Sequence, residues 1–361
     1  MVLERTPRTN DPGAWAVLTI VTCFAVFVPL AARCVPESSD PAWTVLWSLD
    51  GCPKAMNGFG ALRLASAWDG GEWWRALTTG FVHGSVVHLA LNMWSVWVLG
   101  PWAARAWGEL RAFGLFIGSS LCGILASTAW AEAPTVVGAS AGIFGVAGAL
   151  WLARGWGTEE VRGELEPIST RGLGLTLAVM LALGFVVPVV AQAGHVGGLV
   201  FGLAGGLALG VRGPRWRLPG WGLGLALLIV VGAGAKAPKW RPAYFEFRGY
   251  AALEAGKPRR AARLLGKALD RQERTPELLN GVAYGLAEAG EQLDWATKLV
   301  DEALEAEPEN PDYLDTKGWV LCRQGKARKG LVWIEKASAA SGGEVAEIEE
   351  HLKTCGESAV L

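Results

Sequence analysis

The feature that most constrains this chain is a series of apolar stretches in its first two thirds. A single helix needs about 20 consecutive, mostly apolar residues to cross a bilayer. Seven stretches of about this length are residues 14–32, 85–103, 111–130, 137–153, 172–190, 194–211 and 218–235. Because a spanning helix satisfies its own backbone hydrogen bonds, the sequence predicts an all-α, polytopic membrane helical bundle with seven spans.

The composition changes near Pro238. Residues 14–235 are mainly apolar, whereas residues 236–361 are charged and rich in helix-forming residues. We therefore expect an N-terminal tail at residues 1–13, a membrane domain at residues 14–235 and a soluble α-helical repeat domain at residues 236–361. The chain carries 33 Lys and Arg against 34 Asp and Glu, so it lacks the basic excess that is typical of nucleic-acid-binding proteins.

Basic residues in the loops predict the orientation of the bundle. Cytoplasmic loops carry an excess of Lys and Arg, and a cytoplasmic N-terminus gives ten inner basic residues against four outer ones. The inner residues are Arg5, Arg8, Arg105, Arg111, Arg154, Arg162, Arg171, Arg212, Arg215 and Arg217, and the outer ones are Arg33, Lys54, Arg63 and Arg75. An odd number of spans then puts the C-terminal domain outside, although Lys236, Lys239 and Arg241 favour the inner side.

The charged half contains an internal repeat with a period of 34 to 35 residues. Small residues, turn glycines and apolar residues recur at matching positions in three units. The matching sets are Gly249, Ala283 and Gly318; Gly256, Gly290 and Gly325; Ala261, Ala296 and Gly330; Leu265, Val300 and Ile334; and Ala268, Ala303 and Ala337. The period resembles that of the tetratricopeptide repeat, and residues 347–353 would cap such a stack. The resemblance implies a concave surface for a peptide or protein ligand; the alternative is a helical domain that only stabilises or spaces the protein.

The cysteines and the last histidine lead to smaller expectations. Cys34 and Cys52 share the first long loop, and they can form a disulfide if that side is oxidising. Cys322 and Cys355 can do the same in the C-terminal domain. No Cys-x-x-Cys pair occurs, which argues against a zinc site built from cysteines. We expect His351, in the polar tail, to be exposed to solvent.

Polar residues within the apolar stretches carry the functional signal, because ionisable groups are costly inside a membrane. Three of the four histidines, His83, His88 and His195, lie in the membrane half. His88 and Asn92 are four residues apart and share one helix face. Ser140 and His195 each begin a predicted span among glycines. The second, fourth and sixth spans all run from outside to inside, so their polar residues reach the same depth and predict one site.

A serine at such a site needs a general base, and histidine is the usual one. A second histidine and an asparagine can donate hydrogen bonds to an oxyanion. Taken singly, Ser140, His195, His88 or Asn92 is more often a structural residue, but their matched depth favours a Ser–His dyad that hydrolyses a peptide bond. Small residues would let two helices approach, with Gly198 and Gly202 on one helix and Gly138 and Gly142 opposite.

Several motifs follow one another in order along residues 68–210. They are Trp74 and Arg75; His83; His88 with Asn92; Leu99 and Gly100; Gly138 with Ser140; Gly145; and Gly194, His195 and Gly198 with Gly202. This ordered set resembles the rhomboid family of intramembrane serine proteases. The resemblance implies a six-span core with a seventh span at its C-terminal end.

The resemblance also implies roles for individual residues. Ser140 would be the nucleophile and His195 the general base. His88 and Asn92 would be oxyanion donors, helped by the backbone N–H of Ser140. Trp74 and Arg75 would match the structural motif of the first loop, and the family needs no metal and no cofactor.

The partners implied are single-span membrane proteins as substrates and the lipid bilayer, and the composition favours a bacterial inner membrane. A catalytically inactive rhomboid-like scaffold that binds client proteins is the alternative function. Three departures from the family pattern bear on this choice. Ala141 replaces the usual Gly after the serine and could loosen the approach of the dyad, Gly194 replaces Ala, and Ala103 and Ala104 stand where an acidic residue is common.

Other motifs argue against competing classes of protein. The sequence contains no His-Glu-x-x-His motif of zinc proteases and no phosphate-binding loop of ATP-driven transporters. On one helix, His83 and His88 would be separated by about 140°, which is a poor placement for a pair of metal ligands. A small-molecule transporter would need a continuous polar path or broken helices in pairs, and the sequence shows neither.

Overall fold

The computed structural model describes residues 13–36, 46–49, 52–68, 70–130, 135–186, 192–210, 217–343 and 345–360. The chain divides into two compact units, Met1–Pro238 and Lys239–Leu361. The predicted tail up to residue 12 lies outside the described residues, as do Arg5, Arg8, Arg212 and Arg215 of the charge count. The predicted all-α class is confirmed, because the described β-structure is a single pair of two-residue strands.

The first unit is a bundle of helices with one short pair of strands. Its elements are α1 (Ala14–Cys34), α2 (Pro53–Gly58), β1 (Leu62–Arg63), α3 (Leu64–Trp68), α4 (Arg75–Thr78), a 3-10 turn (Thr79–Phe81), α5 (Val86–Trp107), α6 (Glu109–Trp130), β2 (Thr135–Val136), α7 (Ser140–Trp156), α8 (Glu159–Glu164), α9 (Thr170–Val186), α10 (Gln192–Gly210) and α11 (Arg217–Lys236).

Four of the described helices are long and apolar enough to cross a membrane, namely α1, α6, α10 and residues Leu218–Lys236 of α11. A fifth span results if Arg75–Phe81 and α5, which meet at a bend of 92°, count as one. The protein is therefore an integral, multi-pass membrane protein. Helices α7 and α9 have 17 residues each, so the count of seven spans stays a prediction.

Helix α7 packs against both α6 and α10, and glycines allow the close approach. A Cβ at Gly198 would overlap backbone atoms of Ala141, and a Cβ at Gly202 would overlap those of Gly145. The expectation that Gly138 and Gly142 lie opposite these two glycines is wrong.

The helix geometry explains the difference. Ala141 and Gly145 are four residues apart and share the face of α7 that meets α10. Gly142 lies about 100° away on the helix, and there it contacts Ser120 and Phe116 of α6. Gly138 precedes α7 and belongs to the loop before Ser140.

The second unit consists of three consecutive helix pairs and a last helix. Its elements are α12 (Pro242–Glu254), α13 (Pro258–Leu269), α14 (Pro276–Ala289), α15 (Leu293–Ala306), α16 (Pro311–Arg323), α17 (Ala327–Ala340) and α18 (Ala346–Val360). The recurring glycines Gly256, Gly290 and Gly325 turn the chain between the helices of each pair, and all three have positive φ, a conformation that glycine adopts without a Cβ clash.

Helix α18 is held by a buried polar contact and a disulfide. His351 is buried rather than exposed, and its Nδ1 lies 2.8 Å from Asp315 Oδ2. The expectation of a solvent-exposed His351 is wrong because Ile348, His351 and Cys355 recur on one face of α18, which packs against the preceding helices. Both expected cysteine pairs, Cys34 with Cys52 and Cys322 with Cys355, are disulfide-bonded.

Candidate active site

The structure brings Ser140 and His195 together. Ser140 is the first residue of α7, and His195 lies one turn into α10. The His195 Nε2 and Ser140 Oγ atoms are 2.9 Å apart, which is hydrogen-bonding distance. Both side chains are half-buried, so a partly exposed hydroxyl lies beside a base at the start of α7.

The backbone before Ser140 leaves amide groups available at the start of α7. Gly138 has φ +110°, which allows the chain to turn directly into the helix. The first intrahelical bond runs from Ile143 N–H to Ala139 O, so the N–H of Ser140 has no acceptor within the helix. A helix N-terminus carries partial positive charge, and this position favours a developing oxyanion.

His88 and Asn92 lie on one face of α5. The His88 ring lies against the Cα of Gly138, since a Cβ there would be 2.6 Å from His88 Cε1. Asn92 is only 6 % exposed, and its Nδ2 has no hydrogen-bond partner among the described residues. The structure therefore brings His88 to the loop before Ser140 and leaves a buried amide donor one turn further along α5.

His83 does not share a helix with His88, because α5 begins only at Val86. The angular argument against a histidine pair is therefore wrong, and the two rings meet edge to face with centroids 5.0 Å apart. Among the described residues, no group of three or more His, Cys, Asp or Glu side chains could hold a metal ion.

Trp74 and Arg75 stabilise the loop that precedes α5. Arg75 is buried, and it donates hydrogen bonds to the Glu72 carboxylate at 2.8 Å and to the backbone oxygens of Asn57 and Ala61. The hydrogen bond from Arg75 lowers the pKa of Glu72. The Arg75 guanidinium also lies 4.6 Å from the centre of the Trp74 ring, so one side chain links Asn57, Ala61, Glu72 and Trp74.

Sequence reasoning missed two residues near the dyad. The Phe144 ring is stacked on the His195 imidazole, with centroids 4.4 Å apart and planes inclined by 20°. The signal was present, because Phe144 is four residues after Ser140 and therefore on the same face of α7.

The other ring nitrogen of His195, Nδ1, has no hydrogen-bond partner within the described part of the chain. The second residue that sequence reasoning missed is Thr79, whose backbone carbonyl accepts a hydrogen bond from Gly138 N–H in the segment before Ser140.

Ala141, where glycine was expected, is accommodated by a glycine on the neighbouring helix. A Cβ at Gly123 of α6 would lie 2.5 Å from the Ala141 Cβ, so the methyl group occupies the space that a side chain at Gly123 would need. The distance of 2.9 Å between Ser140 and His195 is kept. The methyl therefore does not loosen the dyad in this structure.

Comparison with known proteins identifies the domain that holds these residues. Residues 70–212 match the family model described as the rhomboid domain. The chain carries a rhomboid domain. This range contains Ser140, His195, His88 and Asn92, and it ends at the start of the segment that leads to α11.

Several known proteins are similar to this chain. The "Rhomboid protease GluP" of Bacillus subtilis is 28 % identical over 246 residues, which are 66 % of this chain and 47 % of that protein. "RHOMBOID-like protein 4" of Arabidopsis thaliana is 32 % identical over 153 residues, or 42 % of this chain and 38 % of that protein. "Rhomboid-like protease 5" of Toxoplasma gondii is 33 % identical over 102 residues, or 27 % of this chain and 12 % of that protein. The chain thus spans less than half the length of these curated relatives.

A solved structure of the Sgt2 TPR domain from Aspergillus fumigatus is 19 % identical and covers 33 % of this chain and 78 % of that chain. Its TM-score is 0.29.

Proposed function

We propose that this protein is an intramembrane serine endopeptidase that cleaves transmembrane segments of membrane proteins with a Ser140–His195 dyad. The observation that carries the proposal is the 2.9 Å contact between His195 Nε2 and Ser140 Oγ at the N-terminus of α7. The named proteases among the relatives support the same class of reaction.

In the first half of the reaction, His195 Nε2 accepts the proton of the Ser140 hydroxyl while Oγ attacks the peptide carbonyl carbon. The carbonyl oxygen becomes an oxyanion, which accepts hydrogen bonds from the N–H of Ser140 and from the side chains of His88 and Asn92. The protonated His195 then donates its proton to the leaving amine as the C–N bond breaks, and an ester on Ser140 remains.

In the second half, water replaces the leaving amine. The water oxygen attacks the ester carbon while His195 Nε2 accepts a proton from the water. His195 then gives this proton to Ser140 Oγ as the bond between Oγ and the ester carbon breaks. This cycle requires Nε2 to be unprotonated at the start, so the proton of the neutral ring is on Nδ1. The stacked Phe144 ring holds the imidazole plane in the orientation that serves both steps.

The proposed substrate class is supported by the apolar helices α6 and α10, which pack against the helix that begins at Ser140. The proposed substrates are single-span membrane proteins whose helix unwinds near one end, because an extended peptide is needed for attack and its free backbone groups must be satisfied in the site. We propose the bacterial inner membrane as the location, and the bilayer as the medium through which substrates arrive.

We further propose that the C-terminal domain, residues 236–361, is on the same side of the membrane as Ser140. Trp68 Nε1 donates a hydrogen bond to the carbonyl of Ala235 at 2.8 Å, near the end of α11. The neighbouring β1 pairs with β2, just before Ser140, which supports the exit of the chain at the active-site end of the bundle. Disulfides in the first loop and in the second unit also fit one oxidising side.

The helix pairs of the second unit are proposed as tetratricopeptide-like repeats that bind a peptide or protein. The support is the period of 34 to 35 residues together with its three turn glycines of positive φ. Such a surface on the side of Ser140 would recruit substrates or regulators before cleavage.

The test is cleavage of a labelled single-span substrate in proteoliposomes by the intact protein, by Ser140→Ala and by Ser95→Ala. Ser95 is the matched control, since its hydroxyl donates to the carbonyl of Leu91 in its own helix. Cleavage by the intact protein and by Ser95→Ala, but not by Ser140→Ala, is the expected result. A serine-directed fluorophosphonate should label the same two proteins.

Absence of both cleavage and labelling in the folded intact protein, across several substrates, would overturn the proposal. The inactive client-binding scaffold would then be the better function, and co-purification of membrane clients would test it. Equal cleavage by Ser140→Ala and the intact protein would also overturn the assignment of the nucleophile.

A further inference from the structure

Thr79, in the turn between α4 and α5, is fully buried and joins three segments of the chain. Its hydroxyl donates a hydrogen bond to the carbonyl of Val136 and accepts one from Leu62 N–H at 3.0 Å. Its backbone carbonyl accepts a hydrogen bond from Gly138 N–H at 3.1 Å. The hydroxyl thus acts as donor and as acceptor and links β1 to β2, while the backbone carbonyl holds Gly138 in the loop before Ser140.

The two bonds to the loop lie on either side of Val137. Val136 and Gly138 are four and two residues before Ser140, so their positions fix where the N–H of Ser140 points. Gly138 in turn lies directly against the His88 ring. A shift of this segment would therefore move Ser140 N–H and the His88 contact together.

From this geometry we infer that Thr79 is a positioning residue for the proposed cleavage, holding the segment 136–138 so that the Ser140 amide and the His88 ring stay aligned on one oxyanion. The inference rests on the proposed function. Thr79 touches neither Ser140 nor His195 in any described contact, and it acts only through the loop.

The chemistry of Thr79 explains why a hydroxyl is needed. Valine has nearly the same shape, but it can neither donate to the Val136 carbonyl nor accept from the Leu62 amide in this buried place, where the loss of a hydrogen bond is costly. The segment would move to find other partners. Because misplacement by about 1 Å can lower a catalytic rate on the order of a hundredfold, a small movement is enough for a large kinetic effect.

The adjacent threonine provides a matched control. Thr78 Oγ1 donates to the carbonyl of Gly60 at 2.8 Å, within the same loop, and has no described bond to residues 135–138. Thr78→Val therefore removes a hydroxyl from the same turn and leaves the Ser140 segment untouched.

The experiment measures kcat, KM, the rate of fluorophosphonate labelling and the thermal midpoint for six proteins in proteoliposomes. They are the intact protein, Ser140→Ala, Thr78→Val, Thr79→Val, Thr79→Cys and Thr79→Ser. We expect Thr79→Val to lower kcat and the labelling rate by about tenfold to a hundredfold with KM within about twofold. Thr79→Ser should restore kcat to within about threefold, and Thr78→Val should keep the intact kcat.

Each outcome bears on a different claim. If the intact protein cleaves, Ser140→Ala does not, and Thr79→Val retains the intact kcat or loses no more than Thr78→Val, the role of Thr79 is overturned while the protease proposal stands. If the intact protein neither cleaves nor labels, the protease proposal itself fails. If Thr79→Val does not fold, Thr79→Cys takes its place, because a thiol forms only weak hydrogen bonds. A kcat of Thr79→Cys equal to that of Thr79→Ser would then overturn the inference.

Discussion

Two histidines of this protein have nearly the same local geometry in its two units. In the rhomboid domain, His195 lies 2.9 Å from Ser140 and is stacked on Phe144 at 4.4 Å. In the second unit, His351 lies 2.8 Å from Asp315 and is stacked on Trp319 at 4.2 Å. Distance and stacking therefore do not distinguish a candidate catalytic imidazole from a structural one.

The partner distinguishes them. The Ser140 hydroxyl is uncharged and can give its proton to a neutral imidazole, and its site is half-buried. The Asp315 carboxylate instead favours the imidazolium. Although burial lowers the pKa of His351, the hydrogen bond and charge of Asp315, with Glu347 and Glu288, raise it overall. His195 thus has a hydroxyl from which it can take a proton. His351, when it is protonated, forms a buried ion pair with Asp315 that helps to hold α18.

The largest effect expected is the loss of cleavage in His195→Gln. Removal of a general base lowers a rate by about 10² to 10⁴, while the substituted side chain keeps much of the volume of the ring. The measurement is kcat on a labelled single-span substrate, with the thermal midpoint recorded in parallel. His351→Gln is the control, and a similar loss of kcat in both variants would contradict the difference between the two sites.

The second-largest effect expected is a loss of stability of the second unit in His351→Gln. Removing one partner of a buried ion pair costs up to about 3 to 5 kcal/mol, and the Gln amide recovers part of this by donating a hydrogen bond to Asp315. Asp315 is only 5 % exposed, so it cannot regain water without movement of α18. Hydrogen exchange of residues 346–360 in the full-length protein should become much faster. Unchanged exchange would mean that the disulfide to Cys322 alone holds the helix.

The sequence predicted more of the first site than of the second, and the reason is physical. Ser140, His195, His88 and Asn92 stand out because polar residues are rare in apolar spans. Phe144 did not stand out among many apolar neighbours, although its spacing from Ser140 was available. Thr79 could not be found, since its partners Leu62, Val136 and Gly138 are backbone groups of distant segments.

The second unit shows the opposite difficulty. In a charged region, one more histidine carries no signal, so the sequence predicts an exposed His351. The recurrence of Ile348, His351 and Cys355 on one face of α18 indicates burial. Nothing in the spacing identifies Asp315 as the partner, because that contact depends on how α18 meets α16.

A smaller effect is a dependence of α18 on pH. The pKa of His351 is raised in the folded protein above its usual value of about 6.5. The ion pair therefore contributes its full stability below that value, and the contribution is lost as the pH rises through the folded pKa. Exchange of residues 346–360, corrected for the intrinsic rate, should be slower near pH 6 than near pH 8. Asp315→Asn should remove this difference, and its persistence would assign the pH dependence to other groups.

The smallest effect expected is that of Ala141→Gly, which restores the residue common in the family. The Ala141 methyl lies in the space left by Gly123, and the Ser140–His195 contact is intact beside it. We therefore expect kcat within about twofold of the intact protein and a loss of stability below about 1 kcal/mol from helix propensity.

Gly123→Ala gives the comparison that sharpens this prediction. A new Cβ there would approach both the Ala141 methyl and the Gly194 carbonyl, next to His195, so it should separate α6 from both helices of the dyad and lower kcat strongly. The double variant Gly123→Ala/Ala141→Gly removes only the first of these contacts. Because the contact with the Gly194 backbone remains, recovery of kcat should be partial. Full recovery would show that the methyl of Ala141, rather than the backbone at His195, sets the spacing of the dyad.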